Sequence, residues 1–207
     1  MVVMRLAVDF DNTLIDYDPV FLTAARERGL VDSGFRGSKR AVRDAIRSLP
    51  NGEITWQRLQ GYVYGAGITG AAPFCGARAF LRRCRHEGVP VFIVSHKTQY
   101  GHHDPARVDL RQAAMSWMAR WEFFAPDGIG IPPDRIHFAD TRAAKLATIK
   151  ELGCTHAIDD LEEVFADPLF PAGVKRILFG EYGGDACCDV ICPAWSSVTS
   201  AVFDESG

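Results

Sequence analysis

The sequence predicts an α/β fold: a mainly parallel sheet flanked by helices, with a small helical insertion after the first strand. Three observations carry this. The chain opens on an apolar, β-branched run, Val2-Val3-Met4-Arg5-Leu6-Ala7-Val8, that stops at Asp9, as a strand buried on both faces would. From Ala77 onward, strand-like and helix-like stretches alternate, the pattern of a parallel sheet with right-handed crossovers. Between these two regions, residues 16–72 contain no good strand.

The elements follow in order. Val20 to Leu30, Lys39 to Leu49 and Ile54 to Tyr64 read as helices, parted by the turns Asp32-Ser33-Gly34 and Pro50-Asn51-Gly52, where Gly, Pro and Asn break the helical pattern. This stretch is expected to form a cap over residues 16–72, with 1–15 and 73–207 making the core. In the core, Ala77 to His86 is helical, Val89 to Val94 a strand and Val108 to Trp121 a helix. Ile136 to Ala139 is a strand, Arg142 to Leu152 a helix and His156 to Ile158 a short strand. Val174 to Phe179 and Val190-Ile191 add strands before a last helix near Ser197 to Phe203.

With 207 residues, 47% hydrophobic and 24% charged, the chain is long enough for one α/β domain plus a modest insertion. A net charge of -3 leaves no electrostatic footprint for nucleic acid. No apolar stretch reaches the roughly 18 residues of a membrane span, and the opening run is too soon interrupted by Asp9 to be a signal peptide. A cytoplasmic protein is expected. Its six cysteines, among them Cys187, Cys188 and Cys192, lack paired zinc-site spacing, so reduced thiols are expected over a zinc centre.

The chemistry gathers at strand ends. Asp9 sits where the first strand gives way to a loop, at the edge where open α/β sheets place ligands. A carboxylate there is costly without a reason, and Asp11 follows closely; a divalent cation is the commonest remedy for two such acids. Val91-Phe92-Ile93-Val94 runs into Ser95, Lys145 lies at the start of the helix after Ile136-His137-Phe138, and His156-Ala157-Ile158 runs into Asp159-Asp160. On parallel strands these ends converge on one crevice.

Asp9-Phe10-Asp11-Asn12-Thr13, Ser95, Lys145 and Asp159-Asp160, in that order over most of the chain, resemble the four motifs of the haloacid dehalogenase superfamily of phosphohydrolases. The resemblance implies a Rossmann-like core with a small helical cap, and a magnesium-dependent phosphatase acting on a small phosphorylated metabolite. By that resemblance Asp9 is the nucleophile that forms an aspartyl-phosphate, and Asp11 the general acid and then base. Magnesium would be held by Asp9, the backbone carbonyl of Asp11 and the second acidic pair. Asp160 is favoured as its direct ligand, and Asp159 would brace Lys145 or a metal-bound water. Ser95 would bind a phosphoryl oxygen and Lys145 would neutralise charge there. Asn12 joins the phosphate-binding set, and Thr13 orients the loop. The family's further acid falls at Val164 in this chain, with Glu163 one residue earlier.

The segment from His96 to Arg107 is long and rich in donors. His96 or Lys97 is expected to contact the phosphate or an anionic leaving group. His102 and His103 are expected in a solvated loop rather than a metal site, and Arg142 is a further candidate anion contact, with a surface role as the equal alternative. Tyr17, Phe21, Trp56, Tyr62 and Tyr64 are expected to form the insertion's own core, with one or two lining the substrate. A phosphomutase or a non-catalytic phosphate-binding module remains the alternative. A dehalogenase is disfavoured because Asp11 supplies an acid that carbon–halogen cleavage does not need. A phosphonate hydrolase would want a Schiff-base lysine in the cap, and Lys39 reads as part of an exposed face.

Overall fold

The computed structural model describes residues 3–182 and 187–204. Strand β1 (Leu6–Val8) leads to β2 (Ile15–Asp16), then to helices α1 (Asp18–Glu27), α2 (Lys39–Arg47) and α3 (Gly52–Tyr64). A 3-10 turn (Ala66–Gly70) and β3 (Ala72–Pro73) precede α4 (Ala77–His86), β4 (Val91–His96) and α5 (Leu110–Arg120). A second 3-10 turn (Pro133–Arg135), β5 (Ile136–Ala139), α6 (Arg142–Glu151), β6 (His156–Asp159), α7 (Glu162–Phe165), β7 (Lys175–Phe179), β8 (Val190–Cys192) and α8 (Trp195–Phe203) complete the chain.

Six of these strands form a sheet of order β5-β4-β1-β6-β7-β8, every pairing parallel. The sheet is as expected, but its first strand is shorter than the apolar run. Pairing starts at Leu6, whose N–H donates to the Pro90 carbonyl at 2.9 Å. Val3 is exposed, and Val2 lies outside the described residues. β1 is central, and Leu6, Ala7 and Val8 are all buried, which explains the lack of polar alternation in the run. On one side of the sheet Ala7, Phe92, Val94, Ala157 and Leu178 pack with Leu146 and Ile149 of α6 and with Val164 and Phe165.

The chain divides into two compact units. The first comprises Met1–Ile15, Pro73–Lys97 and Trp121–Gly207; the second comprises Asp16–Ala72 and Thr98–Arg120. The second unit is therefore larger than the 16–72 insertion expected: it also takes the segment after Lys97 with α5, which the alternation of strands and helices assigns to the core. Packing decides this. Trp117 of α5 is buried, and its indole N–H donates to the Ala71 carbonyl at 2.9 Å. The loop before α5 lies against α3 so closely that a Cβ on Gly61 would fall 2.7 Å from the Asp104 Cβ, and one on Gly101 would fall 2.8 Å from the Gly61 Cα.

The core of this unit is aromatic. Phe21 and Trp56 stack at 5.0 Å, and Tyr64 meets both Tyr17 and Phe21 edge-on. Ser38 caps α2 by accepting from the Ala41 N–H, and Asp18 accepts from the Lys39 N–H at 3.0 Å. Among the described residues, no helix is long and apolar enough to cross a membrane.

Candidate active site

The parallel register decides which side chains share an edge. Val8 pairs with Ile93 on one side and Ile158 on the other, so Asp9, Ser95 and Asp159 all emerge just beyond the same level of the sheet. The Asp9 N–H donates to the Ile158 carbonyl at 2.9 Å, extending the strand pairing one step past β1. The chain then turns tightly. The Phe10 carbonyl accepts from the Leu14 and Ile15 N–H groups at 3.1 and 3.2 Å, and Asn12 adopts a left-handed φ of 57°. Asn tolerates that conformation better than most residues, so the loop's shape, beyond any phosphate contact, gives a reason for its presence.

Lys145 links the acids. Thr141 caps α6, its hydroxyl accepting from the Ala144 N–H at 3.1 Å, and this sets the helix phase that turns Lys145 inward. Its ammonium lies 2.5 Å from Asp9 Oδ1 and 2.5 Å from Asp159 Oδ2, and all three residues are buried. Asp159 Oδ1 accepts from the Leu161 N–H at 3.1 Å. Both oxygens of Asp159 thus already receive protein hydrogens.

Burial pushes the Asp9 carboxyl up, to about 7; Lys145 opposes the rise, and the nearby Asp159 and Asp11 add to it. Burial also works against charge on Lys145, but Asp159 and Asp9 outweigh it and hold the ammonium above its ordinary range.

Asp9, Asp159 and Asp160 each offer a carboxylate oxygen, all within 4.8 Å of one another. This all-oxygen set suits a hard divalent cation such as magnesium. Among the described residues it is the sole grouping of three or more acids, histidines or cysteines spaced in this way.

The Ser95 hydroxyl is fully buried and has no hydrogen-bond partner among the described residues. An unpaired buried hydroxyl costs free energy.

Thr13 is buried beneath the loop, its hydroxyl 3.5 Å from Asp9 Oδ2 and its carbonyl receiving the Trp195 indole N–H at 3.0 Å. Trp195 was not anticipated from the sequence. It lies far along the chain on α8, and no local pattern connects it with the Asp9 loop.

Lys97 and His96 diverge. The Lys97 ammonium is buried against the Asp11 carboxylate, 3.0 Å from Oδ1 and 2.9 Å from Oδ2. His96 points to the exposed side, its Nε2 3.1 Å from the Asp140 carbonyl. Arg142 is exposed at the start of α6. His102 and His103 are exposed and belong to the second unit. Val164 is buried in the core and Glu163 is exposed. Lys39 is not on a bare face as expected: it is half-buried, its ammonium 5.5 Å from the ring centres of both Phe21 and Tyr64. Tyr182, just past β7, was also unanticipated; its hydroxyl donates to the Asp160 carbonyl.

No family model and no curated protein matches the sequence. Solved structures do match the fold. A haloacid dehalogenase family hydrolase from Deinococcus radiodurans R1, with bound phosphate and sodium, aligns over 98% of this chain and 96% of its own at a TM-score of 0.57 and 16% identity. This chain has the haloacid dehalogenase-like fold. A haloacid dehalogenase-like hydrolase from Streptococcus pneumoniae aligns over 97% of this chain and 98% of its own, at a TM-score of 0.61 and 14% identity. A dehalogenase aligns over 98% and 99%, at 0.54 and 13%. Hydrolases and a dehalogenase thus share this haloacid dehalogenase-like architecture, and the fold alone does not decide between their chemistries.

Proposed function

We propose that the chain is a phosphohydrolase of the haloacid dehalogenase superfamily, a magnesium-dependent phosphatase of a small phosphomonoester that works through an aspartyl-phosphate. The observation that carries this reading is the cluster at the carboxyl edge of β1, β4 and β6. There a buried nucleophile-grade carboxylate, Asp9, is bridged to Asp159 by Lys145, beside a buried hydroxyl with no protein partner, Ser95.

A carboxylate oxygen of Asp9 attacks phosphorus, and the bond from phosphorus to the leaving oxygen breaks. Asp11 gives that oxygen a proton, the alcohol departs, and Asp11 is left as carboxylate. Asp11 then takes a proton from water as the water oxygen attacks the same phosphorus; phosphate leaves and Asp9 is regenerated. Ser95 donates its hydroxyl to a phosphoryl oxygen, which would satisfy the orphaned group. Lys145 faces the attacking carboxylate throughout and offsets the negative charge gathering there, an arrangement fixed before the reaction and so free of reorganisation cost.

A divalent cation, held by Asp9, Asp160 and the Asp11 backbone carbonyl, would supply Lewis-acid neutralisation of the phosphoryl charge. The double engagement of Asp159 with Lys145 and the Leu161 N–H favours Asp160 over Asp159 as the direct ligand. Asp11 favours phosphoryl transfer over carbon–halogen cleavage, since only the former needs a proton delivered to an oxygen leaving group.

The test is hydrolysis of p-nitrophenyl phosphate with and without magnesium, for wild type and Asp9→Asn. Turnover that requires magnesium and disappears in the variant is expected. No turnover by wild type, or equal turnover by both, rejects the proposal.

A further inference from the structure

Resting on that reading, the geometry points to Lys97 as the positioning residue for Asp11, so that it acts on proton transfer rather than on phosphate binding. The ammonium is almost wholly buried, whereas the Asp11 side chain keeps 18% exposure. Lys97 therefore grips the carboxylate from the protein side and leaves part of it open to solvent.

The grip is close to symmetric, 3.0 Å to one oxygen and 2.9 Å to the other. It fixes the rotation of the carboxylate as well as its place. Lys97 is itself held firmly. Its own N–H donates to the Ala139 carbonyl at 2.9 Å, one step beyond the β4–β5 pairing, and its ammonium stands 5.7 Å from the Phe10 ring centre.

A buried ion pair is a poor device for stability, because removing two charges from water costs about as much as their attraction returns. Burying a lysine under this particular carboxylate is better accounted for by the job of Asp11. Proton delivery to a leaving oxygen depends steeply on alignment, and a loop residue gains that alignment only from a rigid neighbour. β4 provides one. The end of that strand thus places Ser95 for the phosphoryl group and, one residue past its last position, Lys97 for the proton-transfer group.

The experiment compares the phosphorylation step, measured in single turnover, for phenyl phosphate (a poor leaving group) and p-nitrophenyl phosphate (a good one that scarcely needs an acid). Lys97→Met, which keeps the apolar stem, is expected to slow phenyl phosphate about 10²-fold, in the range of general acid catalysis. Its loss on p-nitrophenyl phosphate is expected within about 3-fold, with inhibition by inorganic phosphate unchanged.

Asp11→Asn should show the same split, and Lys97→Met/Asp11→Asn should be no slower than Asp11→Asn alone, as for two residues acting as one unit. Equal losses on both substrates with weaker inhibition by inorganic phosphate would put Lys97 on the phosphoryl group and overturn the inference. Additive losses in the double variant would also overturn it. If Lys97→Met does not fold, Lys97→Arg carries the test, with the same split expected and a uniform loss refuting it. Wild-type rates from Asp9→Asn would instead sink the underlying phosphatase reading, which keeps the two failures distinct.

Discussion

Lys145→Met is the most discriminating perturbation of the site. The substitution keeps most of the aliphatic stem and deletes an ammonium that stands 2.5 Å from both Asp9 Oδ1 and Asp159 Oδ2. Breaking a buried ion pair by removing one partner costs about 3–5 kcal/mol, because the other charge is left uncompensated. Here two buried carboxylates are stranded together, which argues for the upper end of that range. At roughly 2–4 °C per kcal/mol for a chain of this length, the melting temperature should fall by about 6–20 °C near pH 7.5.

The carboxylates can escape the penalty by taking up a proton. Burial already pushes Asp9 up to about 7 with the lysine present, and without it the proton is held more tightly still. The deficit must therefore shrink as the pH falls toward 5. Adding magnesium should recover part of the loss at pH 7.5, since a cation held by Asp9 and Asp160 restores positive charge beside the stranded carboxylates. Thermal denaturation followed by circular dichroism at several pH values, with and without magnesium, measures all three effects. A variant melting within about 2 °C of wild type at pH 7.5, or one whose deficit grows on acidification, refutes the reasoning.

Other outcomes follow from the same geometry. Ser95→Ala should leave the melting temperature unchanged or slightly higher, because it removes a buried hydroxyl without a partner, while inhibition by inorganic phosphate weakens about tenfold; a destabilised protein with intact phosphate inhibition would contradict this. In metal-free protein the Asp9 carboxyl, near 3.9 when unfolded, is raised to about 7 by burial. Between those values the folded chain binds more protons than the unfolded, so this group's contribution to stability falls as pH rises. Magnesium requires the carboxylate, so the stabilisation it brings should grow from pH 5 to pH 8; a gain that is flat or largest at pH 5 would count against Asp9 as a ligand. Trp195→Phe deletes the buried hydrogen bond to the Thr13 carbonyl and should cost about 1–3 kcal/mol in denaturant unfolding. Turnover should fall alongside it as the Asp9 loop loosens, and full activity at reduced stability would show that the loop does not depend on that bond.

The sheet could be read from the sequence because its signals are local. Ala7, Val8, Ile93, Val94, Ala157 and Ile158 form short apolar runs that end in polar side chains. In a parallel sheet such runs must be buried on both faces and must end at one edge. Asp9, Ser95 and Asp159 were therefore expected together, and the structure brings their strands side by side. The position of Lys145 was equally local, set by a helix start one turn earlier.

Tertiary structure alone decided what depends on packing between distant segments. Loop 98–109 and α5 join the second unit because Gly61 and Gly101 let the loop lie flat on α3 and Trp117 finds a carbonyl at Ala71. No periodicity announces that. The destination of the Lys97 ammonium, the indole of Trp195 under Thr13, and the double engagement of Asp159 were likewise invisible. A long side chain's partner is chosen by which groups burial leaves within its reach. The sequence by itself determined which residues stand at the working edge of the sheet, since hydrophobic patterning is a property of each strand. Which of them touch was decided by the close packing of the folded chain, where an ångström separates an ion pair from none.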